Sequence, residues 1–299
     1  ANLHGRRRNW CGGGSPMVIK VTNFERWAFM LTVPAGVVAI GLYVFPILQV
    51  LALSVTEPSF GLGNYVSMVR NPAIGRVVRT TLIVSAVTTL FTIVFSYIVA
   101  FALVQMRPKV RRFAMFLVML PFWISVLVRA FSWITILRRN GVLNSALVEA
   151  GVINEPLELI YNQLGVIIGM VHYMMPFAIL LLYANLTDID QRIIQAARSL
   201  GARAPTIFWR VWLPLSTPGL AIATLFVVIF SFGFLVTPAN LGAGRVLMIA
   251  EYISVQISST LRWGVATALS TTMLICVAAA IALAMRHPAF RSAFGGSQK

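Results

Sequence analysis

A chain of 299 residues that is 59% hydrophobic and only 11% charged, with a mean hydropathy of +0.85, holds more apolar surface than one water-soluble core can bury. This excludes an ordinary soluble domain and makes lipid part of the solvent. The net charge of +16 sits in short clusters between long apolar runs, which is the pattern of membrane topology signals and not of a nucleic-acid-binding face.

Apolar stretches near the ~20 residues needed to cross a bilayer fall at 27–53, 78–104, 113–137, 163–184, 217–237 and 264–285. They predict an all-α, polytopic membrane protein of about six transmembrane helices, with a transmembrane domain over 27–285. Residues 1–26 read as a basic N-terminal tail and 286–299 as a C-terminal tail. No signal peptide is expected, because the first run is too long for an h-region and no small-residue cleavage site follows it. Pro34 and Pro46 in the first stretch and Pro176 in the fourth are expected to kink helices and not to end them. Cys276 lies in the last stretch and reads as a small packed residue. With Cys11 the only other cysteine, no disulfide framework is implied.

Lys and Arg divide unequally between the two sides of this alternation. Sixteen of the 24 fall in the N-terminal tail, the 107–112 cluster, the loop after the fourth stretch and the C-terminal tail. The positive-inside rule then places both termini in the cytoplasm.

The connection at 185–213 is long and organised. Asp188 and Asp190 stand where acids favour a helix N-terminus, RIIQAARSL is helix-forming, and Gly201 follows as a C-terminal cap. Pro205 suits the first turn of a second short helix, which Pro214 is expected to end. The physics alone leaves two readings open: an interfacial anchor or a docking loop.

Gln195-Ala196-Ala197, three residues, Gly201, nine residues and then Val211-Trp212-Leu213-Pro214 resemble the EAA motif of type I binding-protein-dependent ATP-binding cassette importers. Gln195 replaces the motif's Glu and Val211 its Ile. Further segments are similar to the spermidine/putrescine-type branch: Leu120–Ser125 with Leu127–Arg129, Gly141–Asn144, Met175–Phe177 with Leu182–Asn185, and Pro238–Gly242; Gly61–Tyr65 is similar to a periplasmic element found widely in these importers. The resemblance covers about 60–270. It implies a channel-forming permease of a bacterial inner membrane, paired with a second homologous permease, two cytoplasmic ATPase subunits that hold ATP and Mg, and a periplasmic solute-binding protein. It also implies that 185–213 contains the coupling helix that docks on the ATPase, through Gln195, Ala196, Ala197, Arg198, Gly201, Arg203, Leu213 and Pro214. The small alanines permit close approach, and the two arginines can reach acidic or carbonyl groups.

No residue set for chemistry accompanies this. The three lysines, Lys20, Lys109 and Lys299, never follow a glycine, so no phosphate-cradling loop is present and no cofactor is expected on this chain. His4, His172 and His287 lack metal-ligand spacing. Ionisable groups in or beside apolar runs are functional candidates by default, which singles out Arg129, His172 and Glu251. Each has a bland alternative: snorkelling to the surface, a satisfied bundle histidine, and a surface carboxylate. Trp123, Trp133, Tyr173 and Phe234, with Phe131 and Phe232, can line a path for a cationic amine, or simply pack. A polycation favours carboxylates, and Glu251 alone supplies one. Anionic or zwitterionic solutes therefore stand beside polyamines as cargo, and a secondary transporter is the remote alternative.

Overall fold

Long apolar runs satisfy their backbone polar groups within a bilayer only as helices or closed barrels, and here they form helices. The computed structural model describes residues 21–286. The expected tails therefore lie outside the described residues, except for 21–26 and Arg286, which are helical.

The chain divides into two compact units, the first ending at Gln49. Helix α1 (Val21–Thr56) carries that first unit and continues unbroken through Pro34 and Pro46. Its apolar side chains Val37, Leu42, Tyr43 and Phe45 are exposed.

The second unit begins at Val50. Its first turn is built around α2 (Gly63–Arg70), where buried Asn64 donates from Nδ2 to the Ser54 carbonyl at 3.2 Å and the Tyr65 hydroxyl donates to Ser54 Oγ at 2.9 Å. Helix α3 (Pro72–Gln105) opens on an Asn71 cap that accepts from the Ala73 amide, and α4 (Pro108–Met119) follows. Next come α5 (Val126–Leu137), α6 (Val142–Glu149) and α7 (Gln163–Thr187). The connecting segment holds α8 (Gln191–Ser199), α9 (Ala204–Ile207) and α10 (Leu213–Leu215), which lead into α11 (Thr217–Phe232). Two short helices, α12 (Val236–Gly242) and α13 (Ile249–Ser258), precede α14 (Trp263–Arg286).

Helices α3 and α7 form the central pair, and α11 packs on both. The middle of α3's buried face is a stripe of hydroxyls, Thr81, Ser85, Thr88, Thr92 and Ser96, none more than 2% exposed. Lipid gives little hydrophobic drive for helices to associate, so small side chains that let backbones approach carry the packing. Ser96 Oγ reaches the Met175 carbonyl of α7 at 3.3 Å, and Thr81 Oγ1 accepts from the Ile249 amide of α13 at 2.9 Å. Gly169 serves the same end: a Cβ there would stand 2.7 Å from Thr237 Cγ2, so its absence lets α12 nest closely on α7.

Thr32–Thr56, Pro72–Gln105, Gln163–Thr187 and Trp263–Arg286 are each long and apolar enough to span a membrane. Two bent pairs raise the number to six if each pair is one span. The third stretch, expected as one helix over 113–137, instead breaks at a 3-10 turn, Leu120–Trp123, and its halves lie 99° apart. Pro121 removes an amide donor there, Ile124 adopts extended backbone and Ser125 leaves the helical region. The fifth, expected over 217–237, stops at Phe232 against Gly233, and the missing length comes from 204–215 across a 62° bend.

Candidate functional site

Two regions hold the candidate residues. The first is the elbow between α7 and α11. Asp190 caps α8, its carboxylate accepting from the Arg192 amide at 2.8 Å. Asp188, by contrast, closes α7 instead of opening α8. Helix α8 ends in the turn at Gly201, whose φ of +79° an L side chain rarely adopts. The Gly201 amide donates to the Arg198 carbonyl at 2.9 Å and the Ala202 amide to that of Ala197 at 3.1 Å. These bonds satisfy carbonyls at the end of α8.

Pro205 sits in the first turn of α9. The chain then widens into a π-helical turn, Phe208–Trp212, and continues through α10. Pro214 does not end this helix: it follows directly on the π-helical turn, and the bend comes at Ser216.

Burial sorts the motif. Gln195, Ala196, Arg198, Gly201, Arg203 and Pro214 are exposed. Ala197 and Leu213 instead pack partly inward, with Ile194, Ile207 and Trp212 buried beneath them against the ends of α3 and α7. Leu200, at the tip of the turn, is 87% exposed. Its position before Gly201 was readable in sequence, but its exposure depends on the direction of the turn.

The underside of the elbow is aromatic. Phe101 of α3 meets Phe208 at 5.3 Å and Trp212 at 5.3 Å, both edge-on, and Tyr97 meets Phe208 at 6.0 Å. The Tyr97 hydroxyl lies 2.9 Å from Ser216 Oγ at the bend. A depression of about 480 Å³ opens between this block and Gln105, Arg198 and Trp209.

The second region is the face between α5 and α7. Arg129 and Trp133, one helical turn apart on α5, each reach a neighbouring residue of α7. The Arg129 guanidinium lies over the Tyr173 ring at 4.4 Å from its centroid, and Trp133 Nε1 donates to His172 Nδ1 at 3.2 Å. Tyr173 continues into a ladder with Phe234 at 4.5 Å and Phe230 at 6.1 Å, and Phe177 continues it to Phe226 at 5.7 Å. Arg129 Nε is buried and has no partner among the described residues. An apolar cavity of about 420 Å³, lined by Phe91, Phe95, Trp133, His172 and Met175, lies beside the second bridge.

Trp123 and Glu251 stand outside this assembly. Trp123, in the broken third stretch, is 89% exposed. Glu251 lies on α13, which packs on α14 and α3, and is buried instead of at the surface, with Oε2 unpartnered among the described residues. Burial pushes its carboxyl above the usual range, partly opposed by the Met248 amide. Phe177, Phe226 and Phe230 complete the ladder and were not among the sequence candidates. The spacing of four between Phe226 and Phe230 on α11 is also that of ordinary core residues.

Apolar helices α7 and α11 packed on α3, with the elbow between α7 and α11, are the architecture of a polytopic membrane protein. Residues 61–292 match the binding-protein-dependent transport system inner membrane component, and the chain belongs to that family. It is 33% identical over 215 residues to the spermidine/putrescine transport system permease protein PotB of Haemophilus influenzae, covering 72% of this chain and 75% of the relative. To the corresponding protein of Escherichia coli K12 it is 32% identical over 216 residues, covering 72% and 78%. Its fold is similar to a solved bacterial alginate ABC transporter in complex with alginate pentasaccharide-bound periplasmic protein, with a TM-score of 0.76 at 17% identity over 91% of this chain and 98% of that one.

Proposed function

We propose that this chain is one of two homologous permeases lining the path of an ATP-driven importer of polyamines, spermidine or putrescine, or of related small amino compounds. The observation that carries the reading is the elbow. Its motif residues Gln195, Ala196, Arg198 and Gly201 and the tip residue Leu200 are exposed on a base locked into the helical core. An anchor helix lying on a membrane would turn its apolar side outward. Here Ile194, Ile207 and Trp212 point into the protein, and a mixed surface of Gln195, Ala196, Arg198 and Arg203 beside Ile193, Leu200 and Trp209 is left for a partner. The PotB relatives support the polyamine cargo.

With both termini and the elbow on the cytoplasmic side, two ATPase copies holding ATP and Mg close on α8 and swing the permease pair between inward- and outward-facing forms. A periplasmic binding protein delivers the solute. The aromatic ladder offers π faces to an ammonium group, each contact worth about 0.5–2 kcal/mol.

One observation favours a second cargo class. Helices α3, α5, α7, α11 and α14 contain no Asp or Glu, and the charge at the path face is Arg129. If the sister permease supplies no carboxylates, an anionic or zwitterionic solute fits this face better.

The test is to co-express the tagged chain with its partners and measure what copurifies, together with solute-stimulated ATP hydrolysis in liposomes. An ATPase and a sister permease that respond to a spermidine-loaded binding protein support the reading. Response only to an acidic or zwitterionic solute moves the cargo to the second class. A chain that moves solute alone without ATP overturns the importer.

A further inference from the structure

Among the described residues, one buried side-chain hydrogen bond joins the elbow to α3, beside the ring contacts. Tyr97 lies two turns before the end of α3 and is 7% exposed, while Ser216, fully buried, sits at the break between α10 and α11 where the chain bends by 62°. The Ser216 hydroxyl donates to the Leu213 carbonyl at 3.0 Å, so its oxygen is free to accept from the Tyr97 hydroxyl at 2.9 Å. Thr217 Oγ1 reaches the same carbonyl at 3.3 Å. Side chains inserted into a backbone ladder make a bend, and π-helical turns such as Phe208–Trp212 just before it mark places where helices give.

Two different forces therefore meet at one joint. The edge-on rings of Phe101, Phe208 and Trp212 fill space through many weak van der Waals contacts. The Tyr97–Ser216 bond is directional and fixes the joint's angle to α3. On the other flank, α7 and α11 touch at Asn185 and Gly219 so closely that a Cβ on Gly219 would lie 2.5 Å from Asn185 Cβ. A push on α8 thus reaches α7 where the Gly219 backbone meets the Asn185 side chain, and α3 through the ring contacts and one directional bond, the Tyr97–Ser216 pair.

We propose that the Tyr97–Ser216 hydrogen bond is the latch that makes α3 follow the elbow, so that Tyr97 and Ser216 are positioning residues for coupling ATP hydrolysis to transport. This rests on the docking role proposed above for the elbow. Without the latch the elbow flexes at Ser216 while α3 lags, and each ATPase cycle moves less solute.

The experiment uses the complete complex in liposomes, with the wild-type chain, Tyr97→Phe, Ser216→Ala and the double variant. Three quantities are read: ATPase retained per complex, melting temperature, and solute moved per ATP hydrolysed. Each single change is expected to lower solute per ATP about fivefold, the factor that one neutral hydrogen bond contributes to an equilibrium. The double variant should be no worse than either single, with assembly and melting preserved. Ratios within twofold of wild type in both single variants, or single effects that multiply in the double, overturn the latch. A wild-type complex that retains no ATPase overturns the docking role itself, a distinct result visible before any variant is made.

Discussion

Replacing Gly201 by alanine isolates the conformation of the elbow from its contacts. The residue holds φ at +79°, and a Cβ built there meets nothing within 4 Å. Steric clash is therefore excluded, and the whole cost is that of a left-handed backbone, about 1–2 kcal/mol for an L side chain. At 1.4 kcal/mol per factor of ten, the turn that orients α8 against α9 becomes roughly 5- to 30-fold less populated. Asparagine enters this region more readily than alanine and should cost less. The assay is titration of purified ATPase onto the reconstituted permease pair for Gly, Asn and Ala at 201, with thermal melting alongside. Affinity should fall in that order, while the melting of the spanning helices, which do not share the turn, stays in place. Alanine binding as tightly as glycine would refute the reasoning. Asparagine binding more weakly than alanine would refute it too, since side-chain bulk and not backbone conformation would then set the affinity.

Gly219→Ala acts by the opposite mechanism: its Cβ collides with Asn185 near the backbone, so α7 and α11 must separate, at about 1–3 kcal/mol. Thermal melting should fall, and unchanged melting would show that the two backbones shift apart at little cost. Glu251, outside the spanning helices, has a carboxyl raised by burial, so the stability it permits is fully present below the ordinary carboxylate pKa and is lost as pH rises through the raised value. Glu251→Gln should therefore raise the melting temperature above that window and flatten its pH dependence, and a variant that keeps the wild-type slope removes Glu251 as the cause. Trp133→Phe leaves His172 Nδ1 without its donor and should cost about 1 kcal/mol, read as lowered melting with the aromatic ladder intact. Equal melting of the two proteins would show that water replaces the indole.

Much of this protein follows from sequence alone because a bilayer leaves an apolar run few choices. The membrane class, the helices near 78–104, 163–184 and 264–285, and prolines carried inside helices at Pro34, Pro46 and Pro176 all come from local composition and the need to satisfy backbone groups. The elbow was legible for a related reason: Asp190, Gly201 and Pro205 each act within a few residues of themselves. What local signals could not supply was direction and partnership. Hydropathy is indifferent to a 99° break at Leu120–Ser125 or a 62° bend at Ser216, since both halves remain apolar. Nor does it show that Leu213 packs inward while Leu200 points out, that Arg129 lands on Tyr173, or that Tyr97 meets Ser216 across 119 positions. Those contacts exist only once α3, α5, α7 and α11 have packed, because each joins residues whose sequence neighbourhoods carry no trace of one another.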